Sequence, residues 1–243
     1  MPADEPQDAA SAMDRMYRYT RHVYDLSRKY YLLGRDGLLD RLADDAIAQA
    51  KALNGQRALR IVEVGCGTGR NLIALRHRLN RRDASADITL YGVDAASVMI
   101  ETAQKAVDRR GYGEGIVLRQ GLAQELSPAM FDLDAREAGK GWVDGAFFSY
   151  SLSMIPPWAE SLAAALAAVG PGGAVRVVDF YDQAALPGAF AWVLKRWLAA
   201  FHVHYRPELV EHMEGLAASG EVALEFEEVG RRYAYRAKLT RPG

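Results

Sequence analysis

The 243-residue chain contains a single cysteine, Cys66, which excludes an internal disulfide and suits a reducing compartment. It also lacks any uninterrupted apolar run approaching the roughly 20 residues that a membrane-spanning helix needs. Excess charge is missing too. Thirty Lys and Arg against 31 Asp and Glu leave a formal charge of -1, so the chain carries no global signature of a nucleic-acid partner. The opening stretch, MPADEPQDAASAMD, is acidic and has no apolar segment of the kind that marks a secretory signal. No internal repeat is visible. These absences lead to the expectation of a cytoplasmic protein that rests on a membrane surface at most.

Half of the residues are apolar, enough for one sizeable α/β domain with a real core and too few for two independent ones. Residues 1–12 are small, acidic and aperiodic, and read as a disordered tail. An arginine- and tyrosine-rich helical stretch follows from Met13 to Gly34, then a helix over Asp36 to Leu53 that stops at Asn54-Gly55. Short apolar runs then alternate with helical patterns from Leu59 to Asp179, the last being a strand over Ala174 to Asp179 after Gly170-Pro171-Gly172-Gly173, which is how a doubly wound parallel sheet reads. Val222 to Val229 and Arg232 to Leu239, separated by Gly230-Arg231, read as a terminal antiparallel hairpin. The domain therefore divides into a helical lid (13–55), a core (59–179) and a segment (180–243) that ends in the hairpin.

Two acidic landmarks and one glycine cluster carry the chemistry. The first strand runs into Glu63-Val64-Gly65-Cys66-Gly67-Thr68-Gly69-Arg70, and glycines there let the backbone turn sharply where a ligand would leave no room for a Cβ. A dinucleotide fingerprint, G-x-G-x-x-G, would require glycine at position 70, which is Arg70. The second strand ends in Asp94, followed by Ala95-Ala96-Ser97-Val98-Met99. A carboxylate at that place accepts both hydroxyls of a ribose. His202, His204 and His212 have no acidic or cysteine neighbours at a ligating spacing, so no metal is expected.

The E-V-G-C-G-T-G string resembles motif I of the class I S-adenosylmethionine-dependent methyltransferases, and D-A-A-S-V-M resembles their acidic loop. Five parallel strands followed by a hairpin resemble their Rossmann-like seven-stranded sheet. This resemblance implies that Glu63, Gly65, Cys66, Gly67 and Gly69 shape the pocket for S-adenosyl-L-methionine. It also implies that Asp94 holds the ribose, that Ala95, Val98, Met99, Gln120, Gly121 and Leu122 enclose the adenine, and that Ser149 and Tyr150 lie near the reacting methyl. The N/D-P-P-Y/F signature of enzymes that methylate DNA and protein nitrogens is replaced here by Ser149-Tyr150-Ser151-Leu152.

The segment before the sheet bears on the methyl acceptor. Ring faces attract quaternary nitrogen, so its tyrosines suit an acceptor that becomes a methylated ammonium, and Arg35 suits a carboxylate of cofactor or acceptor. The same residues also fit an amphipathic helix whose tyrosines simply pack. The string Y-D-L-S-R-K-Y-Y-L-L-G-R-D, Tyr24 to Asp36, together with F-F-S-Y-S-L-S-M-I-P-P-W, resembles the bacterial betaine-lipid N-methyltransferases. That likeness implies a lipid-headgroup partner, diacylglyceryl-homoserine, methylated three times, with Tyr24, Tyr31 and Tyr150 as catalytic residues. The run Leu186 to Phe201 sets tryptophans beside Lys195-Arg196, which suits a membrane headgroup region or a helix packed on the sheet. Soluble-metabolite and phosphatidylethanolamine acceptors, or a module that binds without catalysing, remain compatible with these residues.

Overall fold

The computed structural model describes residues 32–133, 141–188, 196 and 205–243. The tail (1–12), nearly all of the Met13–Gly34 stretch with Tyr24 and Tyr31, most of the tryptophan-bearing run, His202 and His204 lie outside the described residues.

In chain order the elements are α1 (Arg35–Leu53), β1 (Leu59–Val64), α2 (Arg70–Arg82), β2 (Ile88–Asp94), α3 (Ser97–Asp108) and β3 (Ile116–Gln120). They continue with β4 (Val143–Ser149), α4 (Trp158–Ala168), β5 (Val169–Phe180), α5 (Pro207–Ala218), β6 (Ala223–Val229) and β7 (Ala234–Thr240). The seven strands form one sheet in the order β3-β2-β1-β4-β5-β7-β6. Pairings from β3 through β5 are parallel, while β7 runs antiparallel to both β5 and β6. The doubly wound reading and the terminal hairpin therefore hold.

Strand alternation builds two cores. Leu59, Ile61, Leu90, Leu118, Phe147 and Val178 face the layer of α1, α2 and α3. Val62, Val64, Val93, Phe148, Val177 and Leu239 face α4 and α5. Helix α1 fits because Leu38, Leu39, Leu42, Ala43, Ala46 and Ile47 recur at helical spacing and are all buried. It ends at Asn54, in the left-handed region at φ 48°, as the Asn-Gly pair leads one to expect. Its outer face is laced to α2 by Arg78 with Asp36 and Asp40, and by Arg82 with Asp40 and Asp44. Such exposed pairs set orientation more than stability, at about 0–1 kcal/mol each.

Two boundaries differ from the sequence reading. Strand β5 starts at Val169, not Ala174: the Gly170-Pro171-Gly172-Gly173 run is the strand's first section, with Gly172 and Arg241 bonded across its edge. Proline is tolerated there because no ladder donor is needed at that place. The hairpin turn is also wider than Gly230-Arg231, since Arg231 and Arg232 both adopt positive φ (56° and 61°). Arg232 is held in this conformation by Asp182 and Glu228, with its guanidinium 4.5 Å from the Tyr181 ring centroid.

Strand order reverses between β1 and β4. That topological switch point opens a crevice outside the carboxyl ends of the strands, where ligands bind in such sheets.

Candidate active site

The glycine loop sits at the switch point. The amides of Gly65 and Cys66 both donate to the Val93 carbonyl, at 2.9 and 3.0 Å, which ties the end of β1 to β2. Gly65 has φ 74°, and a Cβ there would lie 2.6 Å from the Cβ of Ser151, just beyond β4. Only glycine lets the β1 and β4 loops meet this closely. Ser151 completes the contact by donating its hydroxyl to the Val64 carbonyl at 2.8 Å. Gly69, at φ 73°, precedes α2 and faces Ala103 of α3, where a Cβ would be 3.0 Å from the alanine methyl. No side chain caps the start of α2, and a helix N-terminus is a favourable place for negative charge.

Asp94 is the hub of this half. One carboxylate oxygen accepts the Gly67 amide at 2.8 Å and the other accepts the Ala96 amide at 3.0 Å. A carboxylate offers about four lone-pair sites, so these bonds leave capacity for a ribose diol. Asp94 also accepts Gly121 N–H on its backbone carbonyl, and Gln120 Nε2 donates to the Ala95 carbonyl at 3.1 Å. Ala95, Val98, Gly121 and Leu122 are half-buried, Met99 is buried and Gln120 is exposed. The residues expected around ribose and adenine are thus held as one set by bonds between the ends of β2 and β3. Glu63 is fully buried beneath the loop and accepts from Asn71 Nδ2 at 2.7 Å, which fixes the first turn of α2.

Cys66 is different. Its side chain belongs to the α1–α3 core, and the sulfur meets the loop only through a weak 3.9 Å contact with the Gly67 carbonyl. Burial, with Asp94 and Glu63 nearby, pushes the thiol well above the ordinary thiol range and keeps it protonated.

Across the switch point, Ser149 is buried and its hydroxyl has no hydrogen-bond partner among the described residues, as expected of a group reserved for a ligand. Tyr150 takes a left-handed backbone (φ 56°), and its ring is buried edge-on against Phe180, with centroids 4.6 Å apart. Its hydroxyl donates to the Leu33 carbonyl. Burial, together with Tyr233 and Asp179, raises the phenol well above its usual range, and Arg35 only partly opposes this. The expectation that Tyr150 meets the reacting methyl is therefore revised: its hydroxyl is committed to the chain entering α1, and the residue acts as a brace. Arg35 opens α1 with its Nε buried and, among the described residues, not hydrogen-bonded, while one terminal nitrogen meets Asp36 at 3.3 Å.

Sequence reasoning missed a third group. Asp179, at the end of β5, is buried and accepts from the Ser153 hydroxyl (2.8 Å), the Ser153 amide (3.0 Å) and the Phe180 amide (2.8 Å). Arg206, just before α5, donates its Nε to the Ser153 carbonyl at 2.6 Å. Desolvation outweighs these bonds and lifts the Asp179 carboxyl from 3.8 to about 6. Nothing in the local string around Asp179 signals this, because the Ser153 amide and hydroxyl that meet it come from 26 residues away. Among the described residues no group of three or more His, Cys, Asp or Glu side chains could hold a metal, and no helix is long and apolar enough to cross a membrane.

Comparison with known proteins agrees with this geometry. A family model described as a methyltransferase domain matches residues 35–217. An uncharacterised methyltransferase of Emericella nidulans is 28% identical over 132 residues, which covers 53% of this chain and 44% of the fungal protein. The chain thus spans less than half the length of that curated relative. A SAM-dependent methyltransferase from Aquifex aeolicus superposes with a TM-score of 0.57 at 14% identity, over 88% of this chain and 93% of the other. The magnesium protoporphyrin IX methyltransferase of Synechocystis PCC 6803, solved with bound SAH, gives 0.53 at 16% identity over 83% of each chain. The Gly65 cradle and the Asp94 carboxylate fit S-adenosylmethionine as the methyl donor of this edge. The chain belongs to the methyltransferase-domain family.

Proposed function

We propose that the protein is an S-adenosylmethionine-dependent N-methyltransferase whose acceptor is a lipid-headgroup amine with a carboxylate nearby, as in diacylglyceryl-homoserine. The observation that carries this reading is Arg35. Its guanidinium is largely withdrawn from solvent at the carboxyl edge of the sheet, its Nε has no hydrogen-bond partner among the described residues, and Tyr150 lies within its electrostatic reach. A half-buried guanidinium that meets only Asp36 among the described residues suits a further carboxylate, and the tyrosine-rich stretch Tyr24–Tyr31 suits a nitrogen that gains positive charge.

The cofactor supplies an electrophilic methyl on a sulfonium. The residues of this chain hold and orient the two reactants: the glycine loop and Asp94 on one side, Ser149 and Arg35 on the other. The proton released with each transfer passes to solvent, because the amine attacks in its unprotonated form. Methyl transfer gains mainly from alignment and exclusion of water, so a strong general base is not required.

The test is transfer of labelled methyl groups from S-adenosylmethionine to mixed micelles containing diacylglyceryl-homoserine, phosphatidylethanolamine or neither, with free homoserine as the soluble control. Labelling confined to the first supports the proposal. Labelling of phosphatidylethanolamine or homoserine instead would move the acceptor to another lipid or to a metabolite. Arg35→Ala should raise the KM for the carboxylate-bearing acceptor about tenfold or more, in line with loss of a charged hydrogen bond.

A further inference from the structure

A polar chain crosses the carboxyl edge of the sheet from the glycine loop to the start of α5. Ser151 donates to the Val64 carbonyl and packs against Gly65. Two residues on, Ser153 sits in the one-turn helix Leu152–Met154, with its amide and hydroxyl both on Asp179 and its carbonyl on Arg206. The turn that touches the cofactor loop is therefore anchored by one buried carboxylate.

We propose that Asp179 is a positioning residue for cofactor binding: its carboxylate holds the Ser151–Met154 turn against the glycine loop, and the turn's grip depends on that carboxylate being ionised. The inference rests on the methyltransferase reading of the edge.

The geometry gives the reason. Oδ1 takes two donors, the Ser153 hydroxyl and the Phe180 amide, while Oδ2 takes the Ser153 amide alone. A proton on Oδ2 displaces that amide and leaves a buried N–H without its acceptor, which a fold avoids by moving the turn. Groups facing the carboxylate are few: Tyr150 beyond β4, Tyr235 paired opposite on β7, and Arg206 before α5. Both phenols are raised far from neutrality by burial, and Arg206 favours the ionised carboxylate. Asp179 is thus the member of this cluster that changes charge near pH 6.

The experiment is calorimetric titration of the full chain with S-adenosylhomocysteine between pH 5 and pH 8. The wild type should bind three- to tenfold more weakly at pH 5 than at pH 7.5. Asp179→Asn, a permanent mimic of the protonated form, should bind at pH 7.5 as the wild type does at pH 5, and with no pH slope. Ser153→Ala removes one donor to the carboxylate but keeps the backbone amide, so it should move the acid midpoint of binding upward. A wild-type slope persisting in Asp179→Asn, or an unmoved midpoint in Ser153→Ala, overturns the inference. Absence of binding by the wild type at every pH would instead overturn the methyltransferase reading itself.

Discussion

The two halves of the sheet hold their ligand-facing residues by different means. In the β3-β2-β1 half, the glycine loop and the ends of β2 and β3 are joined almost wholly through backbone groups: Gly65 and Cys66 to Val93, Gly67 and Ala96 to Asp94, Gly121 to Asp94. In the β4-β5 half the equivalent work falls to buried side chains: Tyr150 on Leu33, Ser151 on Val64, Ser153 on Asp179, Arg206 on Ser153. A backbone-built pocket tolerates many side chains but demands particular glycines. A side-chain network demands particular residues at scattered positions and is open to titration. One half is suited to a constant cofactor, the other to a variable acceptor.

The sharpest way to break this contrast is Asp94→Ala, which removes the side chain that gathers two loop amides in the backbone-built half. Two charged hydrogen bonds to amides are lost, with the seat for the ribose. At about 1.5–3 kcal/mol for such a bond, S-adenosylmethionine binding should weaken about 100-fold. Calorimetry checks this, with NAD as a control ligand. Binding within a few-fold of wild type would show that the loop is self-supporting and that Asp94 does not seat the ribose.

Gly65→Ala comes next. A non-glycine residue at positive φ costs of order 1–3 kcal/mol, and the new methyl would stand 2.6 Å from the Ser151 Cβ. We expect roughly a tenfold loss of affinity with a lowered Tm, and partial recovery in the double variant with Ser151→Gly. Recovery would locate the fault in the contact between the two halves; its absence would locate it in backbone strain.

On the side-chain-built half the expected effect is smaller and depends on pH. The folded-state pKa of Asp179 lies at about 6, above its unfolded value of 3.8. A group raised in this way stabilises the fold most below its unfolded pKa, and that contribution is lost as pH rises through about 6. Relative to Asp179→Asn, the wild type should therefore gain on the order of 1 kcal/mol when the pH is lowered from 8 to 5. Denaturant unfolding of both proteins at the two pH values measures this. A constant difference would mean that the carboxylate is solvated in the folded state, contrary to its burial.

How much could be read from the sequence follows the same division. Strand β1 and the loop after it were legible because local strings encode them: Leu59 to Val64 is a short apolar run, and Gly65, Gly67 and Gly69 sit where the backbone turns. The start of β5 was not, because its glycines and Pro171 mimic a loop although their pairing partner, Arg241, lies some seventy residues later. Asp179 looked like an ordinary strand-end residue because its importance comes from Ser153 and Arg206, brought to it by the fold. Tyr150 was legible as a residue of the site's edge, but not as a brace, because its partner is the Leu33 carbonyl 117 residues earlier.

Cys66 gives the smallest expected effect and the finest test of the contrast. It lies inside the glycine motif, yet its side chain points away from the crevice, into the packing around Gly92, where a Cβ would meet the sulfur at 3.1 Å. If the β1–β3 half is built from backbone, Cys66→Ala should leave S-adenosylmethionine affinity within about twofold, since an alanine keeps both the Val93 bond and the loop conformation. Stability should fall by about 1 kcal/mol, as for a small buried truncation. The native thiol, raised by burial and by two neighbouring carboxylates, should resist a thiol reagent at pH 8 until denaturant opens the core. Rapid labelling of the native protein, or a tenfold loss of affinity in the alanine variant, would place the sulfur at the cofactor and make a side chain part of the pocket's first loop.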